Sequence, residues 1–376
     1  MAVDVHWPSI HEAWAANNIE FPIEFRPAHG AEAPPGADPR EDLTDLADEL
    51  NEEAAERWPD TNPYVEGGVD TFAGGAMALM DAAGEDGEVQ TYLQELADGM
   101  TRRGWIGQLR GAPRVEVPEW STSTDGAGRA IGIFLRFIPV PPRDGDRRHE
   151  TLDETDAASL RDVADRWASL PSTQVVLWRS EFVEEAPRHG LGPILIHAVR
   201  RNGQAELRWV DTPSRSVRTI DVGYGPLAVL ALASRTESWQ ARLDALTDVL
   251  RQLSPRLEVG LIDVAGPSIV SWSGLRAAPH LEATGVMTQI DRDLAREYLP
   301  DAYGLQVLTS RHLAKAHDLS AWMVIDLGND RHLVQHPDPA AWFAHDHPDP
   351  DVLAAARRDF GDLILTPEAY AAIRGA

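Results

Sequence analysis

Residues 38–58, DPREDLTDLADELNEEAAERW, predict the first helix of the chain and a strongly acidic side of that helix. Asp38 suits the cap position, and Pro39 suits the first helical position that follows it. Apolar side chains recur at helical spacing from Leu43 to Trp58, which predicts one buried stripe. Six carboxylates remain for the solvent side, and these are Asp45, Asp48, Glu49, Glu52, Glu53 and Glu56.

This helix lies in the most negatively charged region of the chain. Residues 31–98 contain nineteen acidic side chains and, as bases, only Arg40 and Arg57, a net charge of 2 − 19 = −17. The whole chain has a formal charge of −26, so the other residues carry only −26 + 17 = −9. A general requirement for solubility would spread such charge evenly, whereas a binding surface concentrates it. Recognition and solubility are therefore both open interpretations of this acidic region.

The charge and composition also exclude several classes of function. A chain this acidic is a poor ligand for nucleic acid or an anionic membrane, because neutralising phosphates requires a basic surface. The chain has no cysteine, so disulfides, thiolate metal sites and cysteine nucleophiles are excluded. Lys315 is the only lysine among 34 basic residues, a bias typical of a GC-rich bacterial genome, and no other lysine is available for catalysis. A partner selected by charge should be a basic protein.

The length and the amino terminus predict a soluble protein with two domains. The 376 residues exceed one ordinary domain. The first residues, MAVDVHWPSIHEAW, lack both the basic start and the apolar core of a signal peptide, and no window approaches 18 consecutive apolar residues. We therefore expect a cytoplasmic protein without a membrane span.

Sequence periodicity predicts an α+β fold in two parts. Residues 1–140 predict an acidic, mainly helical domain that ends in a β-hairpin. Residues 141–150 combine prolines with charges and predict a linker. Residues 151–376 predict a larger domain, with an antiparallel meander, packed helices and a C-terminal α/β segment.

The individual elements of the first part follow from the same patterns. Residues 1–40 predict an irregular arm with one short helix. Further helices are expected at residues 69–83 and 88–103, although Gly74-Gly75 weakens the first of these. Two strands, at residues 114–120 and 130–140, are predicted to form the hairpin.

The second part begins with a helix near residues 156–170 and continues with strand-like runs. Residues 193–200 are one such run, and Asn202-Gly203 after it suits a tight hairpin turn. The links are too short for parallel crossovers, which favours an antiparallel meander. The four predicted strands of the meander are residues 173–183, 193–200, 205–211 and 216–222.

The best candidate metal ligands are His336, His345 and His347, with aspartates nearby. A simpler interpretation is available, because Asp338-Pro339 and Asp349-Pro350 each match a capping aspartate followed by a first-turn proline. We therefore predict helix starts here and assign no metal ligand.

Other motifs are weak candidates for catalysis or for cofactor binding. Residues 223–228, GYGPLA, match the local form of a dinucleotide-binding turn, but the nearest acidic residue that ends a following predicted strand is Asp263, roughly twice as far away as the motif requires. A glycine turn before a helix is the simpler interpretation. Ser271 and Ser273 lack a nucleophile motif, and His312 and His317 are five residues apart and are interpreted as surface histidines. No cofactor and no catalytic residue is predicted.

Together these features favour a non-catalytic bacterial protein that binds a basic protein through the acidic side of its first helix. The most specific form of this hypothesis is an immunity or inhibitor protein that blocks a toxin whose active site handles an anionic substrate. One alternative is an enzyme, either a carboxylate hydrolase or a metal enzyme that uses the histidines of residues 336–351. Another alternative is a scaffold or assembly subunit.

Overall fold

The computed structural model describes residues 2–17, 20–71, 74–83, 85–112, 115–122, 124–138, 154–179, 182–187, 190–223, 227–265, 294 and 296–375. The chain divides into two compact units, Met1–Glu116 with Trp178–Ala186, and Val117–Leu177 with Pro187–Ala376. The described residues form helices and two sheets of five and ten strands, so the predicted α+β class is confirmed. The predicted linker at residues 141–150 lies outside the described residues.

The first unit contains a five-stranded sheet in the order β1-β5-β2-β4-β3. All pairings are antiparallel except β1 with β5. The strands are β1 Val3–His6, β2 Glu20–Pro27, β3 Tyr64–Asp70, β4 Ala76–Asp81 and β5 Gly107–Gly111. The helices of this unit are α1 Trp7–Asn17, α2 Pro39–Arg57 and α3 Asp86–Arg102.

Strand β2 organises the core of this unit, although the sequence patterns predicted an irregular arm there. Its alternate residues Phe21, Ile23 and Phe25 are fully buried and join the apolar stripes of the helices in one cluster. Glu24 between them is also buried, and Arg110 on β5 neutralises it with hydrogen bonds of 2.9 and 2.7 Å. The sequence EFPIEFRP does show the two-residue period of a strand, and the prediction of an irregular arm missed it.

The predicted helix at residues 69–83 is wrong, because this segment ends β3 and forms β4. The two strands form an antiparallel hairpin through a turn in which the Thr71 amide donates to the Gly75 carbonyl. Gly75 packs against β2 so closely that an added Cβ would lie 1.9 Å from the Phe25 carbonyl oxygen. Alanine, methionine and leucine favour helices on their own, but burial of β4 between β2 and β3 outweighs that preference.

The remaining strands form a sheet of ten in the order β14-β15-β13-β12-β6-β11-β10-β9-β7-β8. They are β6 Ala130–Phe137, β7 Gln174–Arg179, β8 Phe182–Glu185, β9 Ala205–Asp211, β10 Ser216–Val222, β11 Leu227–Ser234, β12 Leu257–Ala265, β13 Leu305–Leu308, β14 Met323–Gly328 and β15 Arg331–Gln335. Strands β9, β10 and β11 are successive antiparallel neighbours, so the predicted meander is confirmed for β9 and β10.

The longer helices of the second unit are α5 Glu154–Ala168, α6 Leu191–Asn202, α7 Trp239–Leu253 and α10 Pro350–Phe360. Shorter helices are α4 Thr124–Ala127, α8 Ser310–Leu313, α9 Ala340–Phe343 and α11 Pro367–Gly375. Ser238 caps α7 by accepting a hydrogen bond from the Ala241 amide.

The predicted hairpin of residues 114–120 and 130–140 is wrong. Residues 119–122 form a 3-10 turn, and β6 pairs with β11 on one side and β12 on the other. All eight residues of β6 are buried, which is the environment of a central strand. The apolar run correctly predicted a central strand, but its partners are more than 90 residues away in the sequence, and local patterns do not reveal them.

The predicted strand at residues 193–200 is also wrong, because these residues lie in α6. The helix packs against α5 at Gly192, where an added Cβ would lie 2.2 Å from a side-chain carbon of Arg161. Gly203 follows with φ of 79° and donates its amide to the Val199 carbonyl. The Asn-Gly pair that was interpreted as a hairpin turn is therefore a helix C-terminus.

Candidate functional site

Helix α2 exposes the six predicted carboxylates to solvent. Asp38 caps the helix by accepting hydrogen bonds from the Arg40 and Glu41 amides, and Pro39 follows in the first turn, as predicted. The residues buried on the other side of the helix are Leu43, Leu46, Ala47 and Ala54. We define the acidic face as Asp45, Asp48, Glu49, Glu52, Glu53 and Glu56, all of which are exposed.

The acidic face is one continuous strip. Its six residues span about 16 Å of helix at 1.5 Å per residue. Two rows run along it at four-residue spacing, so each carboxylate has a like charge as its neighbour. The side chains of Asp45, Glu49 and Glu53 are 67%, 68% and 65% exposed. The structure therefore brings all six predicted residues together.

Two arginines neutralise one row of this strip in part. Arg103 lies 3.6 Å from both Asp45 and Glu49, while its shorter contact, 2.8 Å, is to Asp42 at the helix start. Arg57 lies 3.7 Å from Glu53 and 2.8 Å from Glu95 of α3, which is therefore its main partner. The hydrogen bond and the charge of Glu95 raise the pKa of Arg57, so this guanidinium remains charged.

The other row consists of Asp48, Glu52 and Glu56. No ion pair to any of these three carboxylates is present among the described residues. Their two adjacent pairs stand at four-residue spacing, where like charges repel each other by a few tenths of a kcal/mol. This row is the part of the acidic face that is available to a positively charged partner.

Helix α3 packs beside α2 and adds to the negative field. Gly99 allows the close approach, since an added Cβ would lie 2.8 Å from a methyl carbon of Leu46. Helix α2 contains eight acidic and two basic residues, and α3 contains four acidic residues and one basic residue. The two helices therefore carry a net charge of (2 − 8) + (1 − 4) = −9.

Polar contacts fix the rotation of α2 about its axis. The Asn51 side chain donates to the Val65 carbonyl and accepts from the Val65 amide, both at 3.0 Å. The Tyr92 hydroxyl of α3 donates to Asn51 Oδ1 at 2.7 Å, and burial raises the pKa of that hydroxyl. Arg40 Nε also donates to the Gly68 carbonyl at 2.7 Å. Both Val65 and Gly68 are in β3, so these contacts tie α2 to the sheet and set which side faces solvent.

A groove of about 680 Å³ adjoins the amino-terminal end of α2. Pro39 is part of its lining, which is otherwise supplied mainly by the segment between β2 and α2 together with Trp105 and Ile106. Alanines, prolines and glycines predominate, and the ionisable residues are Arg26, His29 and Glu32. Polar groups contribute at least as much of the exposed lining as apolar groups, so the groove is not a predominantly apolar site.

The histidines considered as metal ligands have other contacts. His345 and His347 are exposed, whereas His336 packs edge-on against Trp322 at 5.0 Å between ring centroids. Asp338 accepts hydrogen bonds from the first amides of α9, and Asp349 accepts those of α10, so both predicted helix starts are confirmed. Among the described residues, no three metal-ligating side chains come together.

Two other predictions need correction. Residues 223–228 were expected to lead into a helix, but β11 begins at Leu227 and pairs antiparallel with β10, so the strand–turn–helix context of a dinucleotide site is absent at this turn. His312 was interpreted as a surface histidine, yet it is fully buried and bonds to Thr309 at the start of α8. Ser271 and Ser273 lie outside the described residues.

Lys315, the one lysine of the chain, is held as an ammonium group. Burial acts to lower its pKa, but hydrogen bonds to Glu297 and Tyr298 and their charges outweigh that effect and raise the pKa. The Nζ atom lies 2.8 Å from Glu297 and 3.7 Å from the centre of the Tyr298 ring. A nucleophilic lysine requires a lowered pKa, so these contacts favour a structural role.

Sequence patterns missed a buried ionic cluster in the large sheet. Glu206 and Asp221 are paired across β9 and β10, and both are less than 6% exposed. Arg208 binds Glu206 at 2.7 Å. Burial raises the pKa of Glu206, and burial together with the charge of Glu206 raises that of Asp221 well above its ordinary value. Alternating charges on a strand normally indicate a solvent face, so the sequence contained no signal for their burial.

Comparisons with known proteins do not place the chain in a family. No family model matches it. No curated protein matches it either. Among solved structures, the chain is similar to the "Pseudomonas aeruginosa T6SS protein PA0821", with a TM-score of 0.38 and 16% identity over 63% of this chain and 76% of that chain. A similarity of this size does not extend to function, and the proposal below is independent of it.

No helix in the described part of the chain is both long enough and apolar enough to cross a lipid bilayer.

Proposed function

We propose that this protein is a non-catalytic binding protein that recognises a basic protein through the acidic face of α2. The observation that carries the proposal is the row of Asp48, Glu52 and Glu56, exposed on one helix and without an ion pair among the described residues. A row of this kind attracts a positively charged surface, speeds the encounter and sets the orientation of docking.

The position of these carboxylates within α2 supports the proposal. Carboxylates stabilise the first turn of a helix, whereas the last turn favours cations. Glu56 lies in the last turn of α2, where only Arg57 is favourable. Its location therefore opposes both the helix dipole and its like-charged neighbour Glu52, a cost of some tenths of a kcal/mol. A role in recognition would explain why the sequence keeps a destabilising negative charge at this end of α2.

Charge alone gives speed and orientation, and a tight complex also requires apolar anchors. The groove beside Pro39 provides a place for one, because its small lining residues leave room for a side chain of the partner. A basic protein with an exposed apolar side chain beside its charged surface would engage both features of the first unit.

The most specific form of the proposal is an immunity or inhibitor protein. An enzyme that acts on an anionic substrate has a basic active site, and the acidic strip of α2 would compete for that site. Such a complex blocks the enzyme without any chemistry by the inhibitor.

The test is affinity capture from the source cell with a matched pair of variants. The face variant carries Asp48→Asn, Glu52→Gln and Glu56→Gln. The control variant carries Asp162→Asn, Asp244→Asn and Asp248→Asn, which removes three exposed charges from α5 and α7. The wild-type chain and the control should both capture one stoichiometric basic protein that a few hundred millimolar salt releases, since salt screens surface fields.

The face variant should capture much less of the same protein. Equal capture by the face variant would contradict the proposal, and so would a partner that is acidic or that resists salt. If the acidic face serves only solubility, the two variants should lose solubility to the same extent and show no difference in capture.

A further inference from the structure

Strand β14, Met323–Gly328, forms an exposed edge of the ten-stranded sheet. It pairs with β15 on one side, and the described residues place no strand on its other side. Met323 and Val324 are 45% and 43% exposed, a level that only Leu170 and Ile373 approach among the large apolar side chains described. Every second residue of an edge strand directs its amide and carbonyl away from its neighbour. This edge therefore offers unpaired backbone groups beside exposed apolar side chains.

The edge formed by β3 in the five-stranded sheet is protected by contrast. Helix α2 covers it, with Asn51 bonding both backbone groups of Val65 and Arg40 bonding the Gly68 carbonyl. Proteins protect edge strands in this way, or with lysines and prolines, to prevent association with other chains. Strand β14 contains no lysine and no proline, and its irregularity in register lies only beyond Asp326. Of these two edges, β3 is closed, whereas β14 is available for pairing.

Charge determines which kind of strand fits this edge. Asp326 is exposed in the middle of β14, and the exposed Asp318 and Asp330 lie before and after the strand. A second copy of a chain with a net charge of −26 would bring further negative charge to this site. Pairing two six-residue strands would also bury roughly a few hundred Å², below the 1,200 Å² or more of a stable dimer.

We propose that β14 binds an extended segment of another protein by strand addition, and that this segment alternates apolar residues with lysine or arginine. Backbone hydrogen bonds to β14 would supply affinity, and alternate side chains would supply specificity. On one face of the sheet the bound strand would lie beside Val324 and Asp326, which favours an apolar and a basic residue there. On the other face it would lie beside Ile325 and Leu327. The proposed binding surface is on β14, and binding there does not require the acidic face of α2.

The test uses a fluorescein-labelled ten-residue peptide of alternating valine and threonine with three lysines, titrated against the full chain in fluorescence anisotropy. Two further peptides carry glutamate in place of lysine, or N-methyl groups on every backbone amide, which removes the hydrogen-bond donors of both edges. We expect the lysine peptide to bind at least tenfold more tightly than either of these. An N-methylated peptide keeps its charge but loses the ability to pair, so it separates strand addition from attraction to the acidic face.

The variant Val324→Lys with Asp326→Lys should weaken binding of the lysine peptide at least tenfold and improve binding of the glutamate peptide. Both positions are exposed, so folding should be retained, and thermal melting checks this. Leu170→Lys is the matched control and should leave binding unchanged, as should the face variant of α2 at physiological salt. Equal binding of the N-methylated peptide would overturn the inference. A wild-type dimer that Val324→Lys dissociates would also overturn it, in favour of a second copy.

Discussion

Asn51 lies where α2, α3 and β3 meet. Its side chain forms the hydrogen bonds to the Val65 backbone that a neighbouring strand would otherwise form. Its oxygen also accepts a hydrogen bond from the Tyr92 hydroxyl. Asn51→Leu keeps the size of the side chain but leaves both backbone groups of Val65 and the hydroxyl without this partner. We expect the free energy of unfolding to fall by about 2–4 kcal/mol, measured by urea denaturation.

Gln94→Leu is the appropriate control, because Gln94 is an exposed amide on α3 that bonds the neighbouring Asp98 at 3.1 Å. Its effect should remain within about 0.5 kcal/mol. A comparably small effect of Asn51→Leu would show that the contacts of Asn51 do not hold α2 in place.

A second prediction at the scale of the residue concerns Asp221. Burial and the neighbouring Glu206 raise the pKa of its carboxyl group in the folded state. The folded protein then binds a proton that the unfolded chain releases above about pH 4. The stability that this proton contributes is complete below the unfolded pKa and is lost as the pH rises through the folded pKa. Asp221→Asn removes this loss.

The melting temperature of Asp221→Asn should therefore exceed that of wild type at pH 8, and the difference should shrink toward pH 4. Thermal melts across this range measure it. Asp244→Asn, at an exposed position on α7, should show no such trend. A difference that grows toward low pH would mean that the folded pKa of Asp221 is lowered instead.

At the scale of the element, α2 should gain stability when its unpaired row is neutralised. The face variant removes two like-charge pairs at four-residue spacing and one carboxylate from the last turn. We expect the free energy of unfolding to rise by about 0.5–1 kcal/mol at low salt. Urea denaturation at two salt concentrations measures this gain, which should diminish as salt screens the repulsion.

A second variant of the same helix, with Asp45→Asn, Glu49→Gln and Glu53→Gln, provides the comparison. These residues face Arg103 and Arg57, so their removal also loses ion pairs. This second variant should therefore stabilise the protein less than the face variant does. If the two variants behave alike, the arginines do not distinguish the two rows.

The elements also show which parts of the fold could be predicted from sequence. Helix α2, its Asp38 cap and the strands β9 and β10 were predictable, because each has a one-sided pattern or a short turn that local physics determines. Strand β4 and helix α6 were not, because both are apolar through most of their length and their class depends on what they pack against.

The exposure of the acidic face was predicted more completely than the fold around it. Exposure of the six carboxylates follows from the period of a single helix, which the sequence displays directly. The neutralising role of Arg103 depends on the packing of α3 beside α2, and the burial of Glu206 and Asp221 depends on the large sheet. Such contacts join distant segments, so no local pattern predicts them.

At the scale of the whole molecule, the negative charge is concentrated on one part of the surface. Residues 31–98 carry −17 of the −26, and α2 and α3 present most of it. Fields of this kind act over about 10 Å at 0.1 M salt, which is comparable with the length of the acidic face. The charge should therefore act mainly on the rate at which a basic partner approaches.

The rate constant for association with the captured basic partner, measured by stopped-flow from about 20 to about 300 mM salt, tests the central claim most directly. We expect the wild-type rate to fall steeply with salt. The face variant should be about tenfold slower at the lowest salt and should converge with wild type at the highest, while the control variant follows wild type throughout. Identical rates for the face and control variants at low salt would contradict recognition through the acidic face of α2.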